Sequence, residues 1–322
     1  MLKLDIKKAI TEIKKKNAKT VILQLPEGLK GKTLEIIERI EGKTKAKVIA
    51  VMDPVWGACD LAETEMKEFN ADLLIHLGHA KYTDSKIKVV YVPLEYSVKE
   101  INLDKIQRML ENEKIKKVGL LCAVQFYNIL KEIEKGLKKK KFTVLLEKGG
   151  EKIDCKGQVL GCDQSSAVKI EKKVDGFLYI GDGFFHPLGV AVSTDKKVLA
   201  FNPLNGEIKD LVEEKNIFVR KRYGSIARAM NAKVFGILVS RKKGQLRKEL
   251  ALELKKRIER KGKKAFIFSM DFIKSEYLMG INIDCYVNTA CPRIIEDNLN
   301  DKPVLNPEEL FEVLAFRSSC GC

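Results

Sequence analysis

Three cysteines in this chain have the residue type and the placement to bind a metal centre together. Cys59 lies in the segment DPVWGACDLAE, Cys162 in GQVLGCDQSSA and Cys291 in NTACPR, each in a loop at the carboxyl end of a predicted strand. Cys59 and Cys162 each follow closely after a glycine, directly precede an aspartate and lie just before a predicted helix. Cys291 differs, because it follows the last strand of its segment. Thiolates bind iron–sulfur clusters well, and a four-iron cluster with three protein thiolates has one iron open to a substrate.

Zinc is the alternative metal for these thiolates. A structural zinc site prefers a fourth protein ligand, for which His76 and His79 are the candidates. We expect His76 to lie in a strand, and whether His79 faces the cysteines stays open. The chain has no Cys-x-x-Cys pair, which argues against a zinc ribbon or a thioredoxin-like site.

The remaining cysteines are weaker candidates. Cys122 lies inside the apolar strand GLLCAV and is predicted to be a small core residue, and Cys285 should point into the core from its strand. Cys155 and Cys285 lie near two of the proposed ligands in sequence, so an exchange of ligands stays open. Cys320 and Cys322 end the chain in SSCGC, which we interpret as a flexible tail with two exposed thiols rather than an accessory metal site.

One pattern of strand, helix, strand, loop, helix and strand occurs three times along the chain. The strands are short, continuously apolar and rich in Val, Ile and Leu, as is typical of parallel strands covered on both faces. Asp72, Asp175 and Asp284 each open the last strand of a unit. The segments that contain predicted strands are 19–29, 46–54, 71–80, 116–126, 142–150, 175–183, 232–245, 264–271 and 284–292. Predicted helical stretches are 32–40, 62–69, 128–140, 165–173 and 246–262.

This repetition predicts an α/β fold of three similar subdomains with small parallel sheets flanked by helices. Loops at the carboxyl ends of parallel strands are where α/β folds build their sites. We therefore expect a pseudo-threefold arrangement in which three loop sets converge on a central cluster site. The predicted subdomains are residues 1–100, 101–205 and 206–322.

A phosphate-binding loop is suggested by LPEGLKGKT, which follows the first strand and precedes a helix. The Walker A motif requires a glycine with four residues between it and the Gly-Lys-Thr, and Pro26 occupies that position before Gly31, Lys32 and Thr33. We therefore reject an ordinary P-loop. The backbone amides of this loop still suit an anionic ligand group at the start of the helix.

Composition bounds the possible functions of the 322 residues. Hydrophobic residues make up 45%, enough for a sizeable core, and 60 Lys and Arg against 44 Asp and Glu give a net charge of +16. Such charge suits anionic partners such as RNA, but it is spread along the chain, as solvated helix faces of a lysine-rich proteome would spread it. No apolar run approaches the roughly 18 residues of a membrane span, and the charged N-terminus is not a signal peptide. We expect a cytoplasmic protein with free thiols or metal ligands rather than disulfides.

Six segments, three in the first predicted subdomain and three in the third, carry a resemblance to a known family. They are QLPEGL, DPVWGACDLAE, LIHLGHA, KRYGSIARA, VSRKKGQ and NTACPR. They resemble the archaeal diphthamide synthases, the enzymes of the first step of diphthamide biosynthesis. The resemblance covers nearly the whole chain, and its cysteine-bearing segments are specific.

The resemblance implies a homodimer and a 4Fe–4S cluster held by Cys59, Cys162 and Cys291, with S-adenosylmethionine on the open iron. It implies a noncanonical radical enzyme without the C-x3-C-x2-C motif, which this chain lacks. One electron, from a donor that the sequence does not identify, would cleave the bond from the sulfonium sulfur to the methionine Cγ. The resulting 3-amino-3-carboxypropyl radical would attack the imidazole C2 of one histidine in translation elongation factor 2.

The carboxylate and the ammonium of S-adenosylmethionine require polar groups of the protein, because the protein supplies orientation while the cofactors supply the chemistry. We expect these groups in the loops at the strand ends. Glycine-rich strand ends are also ordinary turns, and that alternative stays open. The candidates are Glu27, Gly28, Gly78, His79, Asp182, Gly183, Gly244 and Gln245.

Other functions with similar residues stay open. Quinolinate synthase, and in outline the reductase that ends the non-mevalonate isoprenoid pathway, also place one cysteine from each of three subdomains on a cluster. A basic RNA- or ribosome-binding protein with a structural zinc is the alternative outside enzymes. The chain has no recognised nucleic-acid motif and only 7% aromatic residues, so direct binding of nucleic acid is not expected.

Overall fold

The structure, a computed structural model, describes residues 2–82 and 85–316. The chain divides into two compact units, with the division between Val212 and Glu213. Within the described ranges the first unit contains two sheets and a two-stranded ribbon, and the second unit contains one sheet. The predicted α/β class with three small parallel sheets flanked by helices is confirmed, whereas the subdomain boundaries stay predictions. No helix in these ranges is both long and apolar enough to cross a membrane.

The elements of the described residues are numbered in chain order. The strands are β1 Leu2–Lys3, β2 Thr20–Gln24, β3 Lys47–Val51, β4 Leu73–Gly78, β5 Val89–Pro93, β6 Glu95–Tyr96, β7 Lys117–Cys122, β8 Thr143–Leu145, β9 Gly176–Ile180, β10 Lys197–Asn202, β11 Glu207–Asp210, β12 Val234–Ser240, β13 Lys264–Met270, β14 Cys285–Asn288 and β15 Val304–Leu305. The α-helices are α1 Lys7–Lys15, α2 Thr33–Glu41, α3 Glu63–Glu68, α4 Leu103–Asn112, α5 Tyr127–Lys139, α6 Ser165–Val168, α7 Phe185–Ser193, α8 Val212–Ala229, α9 Lys248–Arg260 and α10 Pro307–Ala315.

The three sheets share one order of strands. In each, the second strand in sequence lies at the edge, followed by the first, the third and a fourth, and neighbouring strands run parallel. The spatial orders are β3-β2-β4-β5, β8-β7-β9-β10 and β13-β12-β14-β15, and β11 extends the second sheet in the antiparallel sense. The predicted repeat is therefore present in the strands, and each sheet has a fourth strand that the sequence pattern did not reveal.

The third repeat departs from the predicted pattern. In place of the expected helix between its last two strands, the chain forms only a short 3-10 turn, Ser275–Leu278. Gly280 follows with a positive φ of 75°, a conformation that turns the chain away from a helical path. The helical stretch predicted over residues 165–173 is also shorter, because α6 ends at Val168 and a 3-10 turn follows.

Apolar residues cover both faces of the first and third sheets. Successive side chains of a strand point to opposite faces. In β2, Val21 and Leu23 accordingly pack in the cluster that contains residues of α1 and α2, whereas Ile22 packs with Met66 of α3. In β14, Cys285 points into the main core of the second unit, as predicted.

An aspartate side chain ties the first strand of each sheet to the third. Oδ2 of Asp72 accepts hydrogen bonds from the backbone N–H groups of Lys19 (2.7 Å) and Thr20 (3.0 Å), where β2 begins. Asp175 and Asp284 accept the corresponding pairs of bonds where β7 and β12 begin. These backbone hydrogen bonds lower the pKa of all three carboxyl groups. We refer to the three residues as the clamp aspartates.

Replacing a clamp aspartate by asparagine should destabilise the unit that carries it. A neutral amide oxygen is a weaker acceptor than a carboxylate, and because the carboxylates are exposed, we expect a loss of about 1 kcal/mol per substitution. The folded pKa is lowered, so this stabilisation is complete above the unfolded pKa of about 3.9 and is lost as the pH falls through the folded pKa. Urea unfolding at neutral and acidic pH measures both effects, and fluorescence of the single tryptophan, Trp56, reports on the first unit.

The matched control is Asp104→Asn, which removes an exposed carboxylate paired only with side chains, Lys140 among them. We expect a smaller change in the unfolding midpoint than for Asp72→Asn or Asp175→Asn. Equal losses in the control and in the clamp variants would show that the paired backbone hydrogen bonds add nothing to stability.

Candidate metal centre

Cys59 lies in the loop between β3 and α3, at the carboxyl end of the first sheet. The loop is tied down at the next residue: the Asp60 N–H donates to the Gly57 carbonyl (3.1 Å), and the Asp60 carbonyl accepts from Nε2 of Gln24 (2.9 Å). Gln24 is the last residue of β2, so the first strand of the sheet fixes the cysteine loop. The Cys59 side chain is partly exposed and therefore reachable by a ligand.

Cys162 occupies the tip of a tight turn in the second sheet's long loop after β8. Leu160 and Asp163 exchange two backbone hydrogen bonds of 3.0 and 3.2 Å, which leaves Gly161 and Cys162 between them. The Gln164 side chain donates to the carbonyls of Leu160 and Gly161 and braces the turn from below. Cys162 is an exposed residue.

Gly161 is required by the packing of this turn. A Cβ at Gly161 would lie 1.7 Å from a ring atom of Phe185, the first residue of α7. Any side chain would therefore push the turn away from α7. Since α7 begins shortly after β9, this contact holds the Cys162 turn beside the loop that carries Asp182 and Gly183, both exposed.

Tyr82 connects the loops of the two sheets of the first unit at Cys162. It follows β4 of the first sheet, and its Oη lies 3.4 Å from the Cys162 Sγ of the second sheet's loop. The Lys152 Nζ lies 3.2 Å from the same Oη and 5.0 Å from the centre of the tyrosine ring. Sequence reasoning missed Tyr82 and Lys152, although an aromatic residue three positions after His79 in a strand-end loop was an available signal.

Cys291 is positioned in the second unit by the last residue of β14. The Asn288 side chain donates from Nδ2 to the Cys291 carbonyl (2.9 Å) and to Oδ1 of Asn306 (3.1 Å). Its Oδ1 accepts the Ala290 N–H at 3.0 Å. Asn288 is buried and Cys291 partly exposed, so a rigid strand end presents an accessible thiol.

A chain of hydrogen bonds runs from the Cys59 loop to His79. Beyond the bond from Gln24 to Asp60, Oε1 of Gln24 lies 2.8 Å from Nδ1 of His76, and Nε2 of His76 lies 3.0 Å from Nδ1 of His79. Burial lowers the pKa of His76 to about 3, and the neighbouring His79 acts in the same direction. Burial also lowers the pKa of His79 to about 4, although a hydrogen bond to the Leu77 backbone has a smaller effect that raises it.

These hydrogen bonds assign the tautomers of both rings. A backbone carbonyl only accepts, so the Gln24 atom that faces Asp60 is the amide nitrogen and the atom that faces His76 is the oxygen. That oxygen accepts the His76 Nδ1–H, and because the ring is neutral, its Nε2 is an acceptor. His79 therefore donates its Nδ1–H to His76, and Nε2 of His79 carries a lone pair. Both nitrogens of His76 are engaged, which removes it as a zinc ligand.

Two of the predicted cofactor loops meet in the first sheet. Gly78 has a φ of 91°, and a Cβ there would lie 2.7 Å from Pro26, so the strand end before His79 packs against the loop that carries Glu27 and Gly28. A Cβ at Gly28 or at Gly183 would meet no atom within 4 Å, which leaves open space over both backbones. Glu27 itself pairs with Lys30 at 2.6 Å.

Gly244 and Gln245 belong to the second unit, in the turn between β12 and α9. The Gln245 N–H donates to the Lys242 carbonyl at 2.8 Å. Lys242 is buried, and its Nζ lies 3.9 Å from the centre of the Phe272 ring. The turn therefore has a packed base, and the role of Gly244 and Gln245 as cofactor residues stays a prediction.

Two of the other described cysteines are poorly suited to bind metal, whereas Cys155 is partly exposed. Cys122 and Cys285 are fully buried, and burial raises the pKa of each thiol far above its ordinary value. Burial also raises the pKa of Cys155. Cys320 and Cys322 lie outside the described residues. Within those residues, no three His, Cys, Asp or Glu side chains are grouped to hold a single metal ion.

Comparison with known proteins places these features in a family context. The family described as "Putative diphthamide synthesis protein" matches residues 25–320. The 2-(3-amino-3-carboxypropyl)histidine synthase of Pyrococcus horikoshii is 37% identical over 313 residues, covering 96% of this chain and 89% of that protein. The protein of the same name from Methanocaldococcus jannaschii is 32% identical over 329 residues, with the same two coverages.

Solved structures show the same similarity. The crystal structure of Dph2 from Pyrococcus horikoshii superposes with a TM-score of 0.90 at 35% identity, covering 99% of this chain and 93% of that one. The crystal structure of the same protein with a 4Fe-4S cluster gives a TM-score of 0.88 at 34% identity, with the same coverages.

The hydrogen-bonded rings of His76 and His79, which we call the histidine relay, should both stay neutral across the physiological pH range. In a tag-free protein labelled with 15N-histidine, whose three histidines are His76, His79 and His186, we expect neither relay ring to titrate between pH 8 and 5, and both Nδ1 atoms to be protonated. The pKa of each ring is lower in the folded protein than the value of about 6.5 in the unfolded chain. Below about pH 6.5 the unfolded chain therefore binds protons that the folded protein does not bind. Each ring therefore lowers stability by about 2 kcal/mol at pH 5.

The Gln24→Leu variant tests the tautomer assignment. It removes the acceptor for His76 Nδ1 without adding a charge, so the nitrogen shifts of both rings should move toward mixed tautomers. A relay ring that titrates near pH 6.5 in the wild type, or an Nε2–H on His79, would contradict the assignment.

Proposed function

The chain belongs to the diphthamide synthesis protein family, and from this membership we propose that it is a 2-(3-amino-3-carboxypropyl)histidine synthase, the enzyme of the first step of diphthamide biosynthesis. The observation that carries the proposal is the similarity over nearly the full length to Dph2 of Pyrococcus horikoshii, a structure solved with a 4Fe-4S cluster. The reaction transfers the 3-amino-3-carboxypropyl group of S-adenosylmethionine to the imidazole C2 of a histidine in translation elongation factor 2.

We assign the cluster to Cys59, Cys162 and Cys291. Their accessibility supports the assignment, because each thiol is at least partly exposed on a braced loop at a strand end, whereas Cys122 and Cys285 are sealed in cores. The ligands of a four-iron cluster bind different irons and lie farther apart than the ligands of one ion, so no compact single-ion site is required. When bound, the cluster would supply the electron that cleaves the bond from sulfur to Cγ.

The loops of the first unit provide complementary groups for the aminocarboxypropyl end of S-adenosylmethionine. Nε2 of His79 is a neutral acceptor and the exposed carboxylate of Asp182 an anionic one, and both suit a ligand ammonium. Gly28 and Gly183 leave space for a ligand to approach their backbones. With Glu27, Gly78, Gly244 and Gln245 they form the proposed cofactor-binding set.

The protein partners follow from the same proposal. The substrate is a histidine within a folded protein, elongation factor 2, so the cluster loops must be reachable by a macromolecule. We propose a homodimer in solution and a separate electron donor. The cysteine loops of the first unit are at the surface, because Cys59 is partly exposed and Cys162 is exposed. Trp56, three residues before Cys59, is exposed as well.

Single substitutions test the cluster ligands and the activity together. We expect Cys59→Ala, Cys162→Ala and Cys291→Ala each to lose most of the bound iron and nearly all transfer, because two thiolates retain a cluster poorly. The matched control is Cys122→Ala, which should keep iron and activity and cost about 1 kcal/mol of packing. Iron and sulfide per chain, after anaerobic reconstitution, are the first measurement.

The second measurement is the product. Reduced protein is incubated with S-adenosylmethionine and elongation factor 2, and mass spectrometry locates the added 3-amino-3-carboxypropyl group on a histidine. Bound zinc in a colourless protein would instead support a binding module. A clustered protein that leaves elongation factor 2 unmodified would contradict the proposed substrate.

A further inference from the structure

Lys152, Tyr82 and Cys162 form a chain of contacts that ends on a proposed cluster ligand. We propose that Tyr82, oriented by Lys152, donates a hydrogen bond to the Cys162 sulfur and thereby raises the reduction potential of the cluster. This inference rests on the proposed function, because it needs the cluster on Cys162. It gives Tyr82 and Lys152 the role of positioning and tuning residues rather than ligands.

The direction of the hydrogen bonds follows from the chemistry of the three groups. An iron-bound thiolate has no proton, so in the 3.4 Å contact between Tyr82 Oη and Cys162 Sγ the phenol must be the donor. The Lys152 ammonium has only donors, so in its 3.2 Å contact it donates to a lone pair of the same Oη. The two contacts are therefore compatible, and the ammonium polarises the O–H that points at sulfur.

The geometry also limits where Tyr82 can go. Its ring is half-buried, and Lys152 lies over the ring face as well as beside the hydroxyl, with its Nζ 5.0 Å from the ring centre. The cysteine is held just as firmly, because the turn from Leu160 to Asp163 is closed by two backbone hydrogen bonds. Donor and acceptor are thus fixed from opposite sides of the contact.

A hydrogen bond to a ligating sulfur has a definite electrochemical consequence. Reduction adds one electron, and part of that negative charge resides on the cysteine sulfurs. A donor at the sulfur stabilises the reduced form more than the oxidised form, so it raises the potential. A tyrosine that only fastened two loops together would leave the potential unchanged.

The test is the midpoint potential of the reconstituted cluster, measured by anaerobic titration with dithionite and followed by electron paramagnetic resonance. For Tyr82→Phe, which keeps the ring and removes the donor, we expect the reduction equilibrium constant to fall about tenfold, a shift of about 59 mV to more negative potential for one electron. Lys152→Met should shift the potential in the same direction by a smaller amount. Lys152→Arg keeps a cationic donor and should therefore keep the wild-type potential.

The matched control is another tyrosine that lies under a lysine. Tyr127 lies beneath Lys131, with Nζ 4.6 Å from the ring centre, on α5. Tyr127→Phe should leave the midpoint unchanged, because this ring belongs to the surroundings of Cys122 and Cys155. An equal shift in the control would overturn the proposal by showing that any tyrosine loss alters the cluster.

The remaining outcomes separate this inference from the proposed function. An unchanged midpoint in Tyr82→Phe at full iron content overturns the inference alone. If Tyr82→Phe does not assemble a cluster, Lys152→Met decides, and an unchanged midpoint there overturns the inference. A wild-type protein that takes up no cluster, or a Cys162→Ala variant that keeps a full one, overturns the proposed cluster site and the inference with it.

Discussion

The paired hydrogen bonds that each clamp aspartate accepts from backbone N–H groups at the start of the first strand are the constraint on which the rest of the structure depends. A slip by one residue in the register of a strand sends every side chain to the opposite face of the sheet, so a site at the strand ends requires a fixed register. Each clamp fixes the third strand against the first with two bonds of about 3 Å, at the same point in all three sheets. The carboxyl ends of these strands, where the candidate groups lie, are therefore set from the opposite end of the sheet.

Equivalent positions after the three clamp aspartates carry side chains of different chemistry. The seventh residues after the three clamps are His79, Asp182 and Cys291, and the fourth residues are His76, Tyr179 and Asn288. In two of the sheets the buried fourth residue hydrogen-bonds to the seventh: His76 to His79, and Asn288 to the Cys291 carbonyl. Cys59 and Cys162 each precede their clamp by thirteen residues. The repeat thus fixes positions, and the residue type at each position decides whether it ligates, accepts or supports.

Much of this arrangement was predictable from the sequence, and the exceptions have physical reasons. Apolar strands of three to seven residues and the three aspartates are strong local signals, so the parallel sheets and the loop cysteines were found. The fourth strands and the third repeat's 3-10 turn were not found, because their place in the fold depends on tertiary pairing rather than on local pattern. Tyr82 and Gln24 were missed for a related reason: their roles arise from contacts with Cys162 and His76, far away in sequence. The cysteines gave the chemistry, but only the packing showed what surrounds them.

The low pKa of His79 decides between two roles for this residue, general base and hydrogen-bond acceptor. A general base works best when its pKa lies near the operating pH, and each unit of difference is a factor of ten in the population of the protonated form. With a pKa of about 4, His79 would hold a proton in about one molecule in a thousand at pH 7. As a hydrogen-bond acceptor the same ring is favoured, because burial and the fixed tautomer keep the Nε2 lone pair available at every physiological pH. Burial of the pair therefore makes His79 a weak base and a constant acceptor, which suits a residue that orients a ligand rather than one that takes a proton from it.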